Sequence, residues 1–102
     1  MSESYIVQRT PFMVPTDDGT SIKEHFGIAT DGNTDISIAH MIAPPGWSEP
    51  PQTPEFDEFT LVIRGKKQFL IEGEKVVLSA GESIKIMKNT RVQYANPFEE
   101  AC

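Results

Sequence analysis

From Phe59 to Ala95 the sequence runs as short apolar segments closed by turns at close intervals, and this punctuation limits the fold more than any other feature. Residues 59–64 turn at Gly65-Lys66 into residues 67–71. Glu72-Gly73-Glu74 then leads into residues 75–78, and Ser79-Ala80-Gly81 into residues 83–87. Lys88-Asn89-Thr90 leads into residues 91–95, which Asn96-Pro97 closes. Apolar residues recur with period 2, and no window of 11 or more residues holds a helical stripe. Short strands joined by tight turns, with no helix between them, predict an antiparallel sandwich or barrel.

The first half reads the same way with weaker signals. Residues 5–8 are expected to form a first strand, and residues 22–29 a second interrupted by Gly27. Asp31-Gly32-Asn33-Thr34 is a turn by its chemistry, because Gly and Asn accept positive φ at little cost. Ile36, Ile38, His40 and Ile42 then alternate with Ser37, Ala39, Met41 and Ala43, which predicts a strand. On that apolar face His40 is expected as a hydrogen-bonded core residue, whereas His25 is expected to be solvated. Five prolines follow within residues 44–54. Proline lacks a ladder donor, so this segment is excluded from the middle of a sheet. It serves either as a rigid connector or as the preorganised rim of a binding site.

At 102 residues, the expected organisation is a single domain, 1–102. The net charge is -6 and the pI near 4.8. Such a surface repels a phosphate backbone or an anionic membrane, which argues against nucleic-acid and membrane partners. Cys102 is the single cysteine, so no internal disulfide is possible. Met1-Ser2-Glu3-Ser4-Tyr5 has no basic region leading into an apolar run, and no apolar stretch approaches the ~20 residues of a membrane span. A cytoplasmic location is expected.

Two separated groups of residues resemble the two motifs of the cupin superfamily. The first is the Pro44-Pro45-Gly46-Trp47 turn followed by Glu58, a hydrophobic strand and Gly65. The second is Gly73, Ser79-Ala80-Gly81-Glu82, Ile84-Lys85-Ile86, Asn89 and Asn96. The resemblance implies an all-β, cupin-like double-stranded β-helix, a jelly roll barrel. It also implies where metal ligands would stand. The His-x-His pair falls on Pro51 and Thr53, the Glu on Glu58, and the last His on Val92. Ser79 and Met87 replace two prolines of the second motif. The run Glu55-Phe56-Asp57-Glu58-Phe59-Thr60-Leu61-Val62-Ile63-Arg64-Gly65 is similar to the cupin domain of ethanolamine-utilisation Q proteins, which likewise lack the paired His. The acetate kinase role assigned to that family does not carry over, because no phosphate-cradling Gly-rich loop is present.

Zn, Fe and Mn sites need convergent imidazole, thiolate or carboxylate donors. Of the four implied positions only Glu58 offers one, so no tightly bound metal and no cofactor are expected. A substitute set from Glu49, Gln52, Glu58 and His40, with Glu55 and Asp57 nearby, has no regular spacing behind it. If Glu58 faces inward, Thr60 and Val62 do too, with Tyr94 alongside Val92. Trp47, Gln52, Glu58 and Tyr94 then outline a small polar-aromatic pocket for a small-molecule ligand. Glu58 is the catalytic candidate. Desolvation would suit it to general acid–base work, and the alternative is a carboxylate tied down by neighbouring hydroxyls. The same alternation turns Phe59, Leu61 and Ile63 outward, an apolar face that predicts a homodimer. The end of the sequence at Cys102 leaves an edge for such a partner to cover. Three functions stay open: a metal-free small-molecule-binding cupin, a metal- or Glu58-dependent enzyme of isomerase, lyase or hydrolase type, and a structural or regulatory dimer.

Overall fold

The computed structural model describes residues 4–102, which contain strands and turns and no helix. The chain divides into two compact units, Met1–Ile42 and Ala43–Cys102.

In the first unit, β1 (Phe12–Met13), β2 (Ser21–Phe26) and β3 (Ile38–Ile42) form an antiparallel sheet in the order β1-β2-β3. β2 pairs with β3 from Ser21↔Ile42 to Phe26↔Ile38, with a register shift between Glu24 and Phe26. The turn beyond β2 is built by side chains. Asp31 Oδ1 accepts from the Gly27 N–H at 2.8 Å, and the Thr30 hydroxyl donates to the Glu24 carbonyl at 2.9 Å. Two expectations are corrected here. Residues 5–8 are not a strand, and the sheet starts at Phe12. Strand preference is realised through cross-strand neighbours, and exposed Tyr5, Ile6 and Val7 form no ladder. His40 is not a core residue: it is exposed, as are Ile38 and Ile42 on its face, whereas Met41 is half-buried. Alternation separates two faces of a strand but does not say which one is covered.

The second unit is a two-layer sandwich. One layer is a four-stranded antiparallel sheet in the order β4-β9-β6-β7, comprising β4 (Trp47–Ser48), β6 (Lys66–Ile71), β7 (Glu74–Ser79) and β9 (Val92–Asn96). The other pairs β5 (Glu58–Leu61) with β8 (Ser83–Ile86). Backbone bonds between Val62 and the Gly81-Glu82 turn, at 2.7 and 3.0 Å, extend that pairing. The β6–β7 hairpin closes through Glu72 (φ 49) and Gly73 (φ 84). Positive φ at both central residues matches the twist of the flanking strands. Phe69, Val62, Ile86, Val92, Tyr94, Trp47 and Ala43 make the core, with Phe69 and Val92 fully buried. Truncating a buried Phe of this kind costs about 3–5 kcal/mol.

The proline-rich segment is more than a connector. It runs along the outer side of β9 as an edge strand, with Gly46 N–H to Asn96 O at 2.7 Å and Gln52 and Val92 exchanging two bonds of 2.9 Å. Pro50 and Pro51 lie between these pairings, where a missing N–H costs nothing at a sheet edge. Asn96, fully buried, donates through Nδ2 to the Ala43, Pro44 and Glu100 carbonyls and accepts from the Phe98 N–H. It ties three chain segments together at the end of β9. Gly65 is demanded by its surroundings. Its φ is 74°, and a Cβ there would lie 2.5 Å from the Ala101 carbonyl oxygen.

Candidate functional site

Three strands of the second unit aim their alternate side chains at one inner face. β9 contributes Val92, Tyr94 and Asn96, all buried while Gln93 and Ala95 are less so. In β6 the residues in phase with fully buried Phe69 are Lys67 and Ile71. Phe69 stands opposite Tyr94, and Ile71 opposite Val92. β5 and its continuation contribute Glu58, Thr60 and Val62, more covered than Phe59, Leu61 and Ile63 between them. Trp47, opposite Asn96 in β4, is buried at the end of the same face.

The polar groups of this face interact directly. The Tyr94 hydroxyl donates a hydrogen bond to Glu58 Oε1, joining the two sheets of the sandwich. Its ring meets Phe69 edge-on, with centroids 5.5 Å apart and planes at 77°, a favourable arrangement of ring quadrupoles. Burial pushes the Tyr94 phenol well above its ordinary pKa. The bond to Glu58 and the negative charges of Glu58 and Glu49 add to that. Tyr94 therefore remains a donor and Glu58 its acceptor.

Lys67 was not among the residues singled out by sequence. Its Nζ lies 4.8 Å from the centre of the Tyr94 ring, 5.7 Å from Phe69 and 5.9 Å from Trp47. Burial lowers its pKa. The charges of Cys102, Glu49 and Glu58 pull in the opposite direction. The Cys102 thiol is pushed up by burial, an effect that Lys67 partly offsets. The signal for Lys67 was present in its phase with Phe69 and Ile71. A charged residue on the apolar face of a strand is worth more attention than its flexible stem suggests.

Glu49 and Gln52 form the outer part of this arrangement. Gln52 Nε2 donates to Glu49 Oε1 at 2.8 Å, and Gln93 Nε2 donates to the Glu49 carbonyl at 2.9 Å. Gln52 itself is exposed. Trp47, Glu58 and Tyr94 thus share one face, and Gln52 reaches it through Glu49. Two surface grooves of about 300 and 230 Å³ are lined by other residues, the first by Phe59, Leu61 and Lys85 among others, the second by Pro51, Arg91 and Gln93 among others. Access to the inner face is through the partial exposure of Glu58, Lys67 and Glu49.

A divalent metal of the kind cupins usually carry does not fit these residues. Pro51 and Thr53 are exposed on the proline-rich edge, and Val92 is a fully buried aliphatic side chain. Glu58 is engaged by Tyr94. Among the described residues no group of three or more His, Cys, Asp or Glu converges as a metal site requires, and this covers Glu49, Glu58 and His40.

A two-layer sandwich with an inward Glu and an asparagine-pinned β9 defines a class, the cupin domain. This chain belongs to the cupin family: residues 39–102 match the Cupin_2 family, described as a cupin domain. Among solved structures, KdgF from Halomonas sp. superimposes with a TM-score of 0.75 and 18% identity, covering 98% of this chain and 87% of that one. A predicted oxalate decarboxylase from Thermotoga maritima gives 0.74 and 19%, covering 94% and 91%. The EutQ protein of Clostridium difficile gives 0.66 and 26%, covering 80% and 56%. The fold is the all-β jelly roll that the motifs imply. The endoribonuclease YbeY of Myxococcus xanthus (strain DK1622) is 44% identical over 90 residues, which is 88% of this chain and 31% of that protein. The chain spans about a third of the length of that curated relative. No helix among the described residues is long and apolar enough to cross a membrane.

Proposed function

We propose that this chain is a cupin that binds a small organic molecule without a tightly bound metal, using Trp47, Gln52, Glu58 and Tyr94. The observation that carries this reading is the Tyr94–Glu58 hydrogen bond across the sandwich, with the Lys67 ammonium beside it. Partly exposed polar groups set against buried rings are the usual makeup of a small-ligand site. The reading of residues 1–102 as one domain is supported by the KdgF superposition, which extends over 98% of the chain.

A second reading, an enzyme dependent on Glu58, is favoured by one feature. The Glu58 carboxylate, half-buried and held by Tyr94, is placed to accept a proton from a bound molecule. A net charge of -6 disfavours a phosphate backbone, which counts against a nuclease role like that in the name of the Myxococcus xanthus relative. The outer face is read as a homodimer contact: Phe59, Leu61 and Ile63 are 74%, 61% and 70% exposed in the single chain. A cytoplasmic location is part of the same proposal.

The test is a thermal-shift screen of small organic molecules against wild type and Glu58→Gln. A ligand at 100 times its Kd stabilises the native state by ~2.7 kcal/mol, a rise of about 10 °C or more for a domain of this size. Glu58→Gln is expected to fold and to lose that rise. If the two proteins respond alike to every stabilising ligand, Glu58 is not part of the site.

A further inference from the structure

In the second unit, β5 presents an open edge that is apolar and unguarded. It pairs with β8, and no other strand among the described residues pairs with it. Val62 directs its backbone toward the β8 side. Its N–H donates to the Glu82 carbonyl at 3.0 Å, and its carbonyl accepts from the Gly81 N–H at 2.7 Å. Bonded and unbonded positions alternate along an antiparallel strand, so the N–H and C=O groups of Phe59, Leu61 and Ile63 point to the open edge. The side chains of the same three residues are the exposed ones. Other edges of the unit carry safeguards against pairing. β4 continues into Pro50 and Pro51, β7 opens on Glu74-Lys75, and β8 carries Lys85. Residues 58–63 hold no proline and no lysine. Such a row of unpaired backbone groups is a template for a further strand.

We infer that β5 pairs edge to edge with β5 of a second copy, antiparallel and centred on Leu61, joining two β5–β8 sheets into one of four strands. The inference rests on the reading of Phe59, Leu61 and Ile63 as a homodimer contact, and adds to it a backbone ladder and a register. Charge selects a second copy as the occupant. Glu58 opens the strand and Arg64 follows its end, so a two-fold axis at Leu61 sets each Glu58 opposite the partner's Arg64. Among the described residues Arg64 makes no ion pair within its own chain. The dimer would thus bring a cation to the rim of the inner face, beside the carboxylate that Tyr94 holds. The register follows from the edge-facing residues. With Leu61 on the axis, Phe59 meets the partner's Ile63 and all three are paired. A shift of one residue would set edge-facing groups against groups already bonded to β8. A shift of two would set Asp57 against the partner's Ile63, or Phe59 against the partner's Gly65.

The test places single cysteines in the full chain carrying Cys102→Ser, oxidises them with a glutathione buffer at micromolar protein, and scores covalent dimers on non-reducing gels. All three positions are exposed, so the substitutions spare the core. Across a hydrogen-bonded antiparallel pair the two Leu61 Cα atoms would lie about 5.5 Å apart, within disulfide reach. The two Phe59 Cα atoms would be four residues out of register, roughly 14 Å apart and beyond it. Leu61→Cys is therefore expected to cross-link at least about tenfold faster than Phe59→Cys alone, and mixing Phe59→Cys with Ile63→Cys is expected to restore the bond. Face-to-face packing of the same surfaces would hold backbones about 10 Å apart and would not cross-link Leu61→Cys. A dimer mass by light scattering without that cross-link overturns the edge pairing and leaves the homodimer contact standing. A monomer mass without it overturns both. Cross-linking of Phe59→Cys alone as fast as Leu61→Cys overturns the register and with it the inference.

Discussion

The hydrogen bond between Tyr94 and Glu58 joins the two sheets of the sandwich, and its strength can be isolated with a double-mutant cycle. Tyr94 is 7% exposed, so its hydroxyl depends on a protein partner, and that partner is Glu58. A hydrogen bond to a charged acceptor contributes about 1.5–3 kcal/mol. Glu58 is only half-buried, and solvent screening brings the expected coupling down to about 1–2 kcal/mol. Tyr94→Phe, Glu58→Ala and the double variant would be unfolded in urea and the three losses compared. Glu58→Ala alone is expected to cost about 1–3 kcal/mol, because it strands a buried donor. Glu58→Gln keeps an acceptor and is expected to cost about 1 kcal/mol or less, near 4–8 °C in Tm at most for a domain this size. The double variant should lose less than the sum of the singles. Losses that add to within about 0.3 kcal/mol would refute the reasoning, since independent sites add and bonded ones do not.

Asn96→Ala is expected to lower stability by about 2–4 kcal/mol in urea unfolding, as three carbonyls lose a buried donor and the Phe98 N–H loses an acceptor. A loss under about 0.5 kcal/mol would mean that the pinning of β9 is not as described. Light scattering at micromolar concentration is expected to give a dimer mass for wild type and a monomer mass for Leu61→Asp, since a charge at the centre of the outer apolar face is costly to bury. A monomeric wild type would end the dimer proposal. Metal analysis of freshly purified, dialysed protein is expected to find far less than one equivalent of Fe, Mn, Zn or Ni, given Pro51, Thr53 and Val92 at the ligand positions. About one equivalent would overturn that expectation.

The strands from β5 to β9 were legible because local chemistry repeats there without interruption. Glu72-Gly73 and Gly65 carry positive φ where the sequence placed turns, and Glu58, Thr60 and Val62 are covered in the alternation that period 2 dictates. The same rule failed on β3. Ile38, His40 and Ile42 do share a face, but coverage is a property of what lies over a strand, and His40 is exposed. The proline content of residues 44–54 correctly barred them from a sheet interior, yet could not say that they pair along β9, because an edge partner is chosen by tertiary position.

The candidate site divides along the same line. Sequence by itself determined the all-β class, which follows from residue type and spacing, while an inward Glu58 and the mismatch of Pro51, Thr53 and Val92 with a metal were what the cupin resemblance implied. Only the tertiary structure set Lys67 against rings from β4, β6 and β9, and bonded Tyr94 to a residue 36 positions away. It also gathered three carbonyls around Asn96. Such contacts depend on which strands become neighbours. That choice is made by the burial of Phe69, Val92 and their companions together, and no local pattern encodes it.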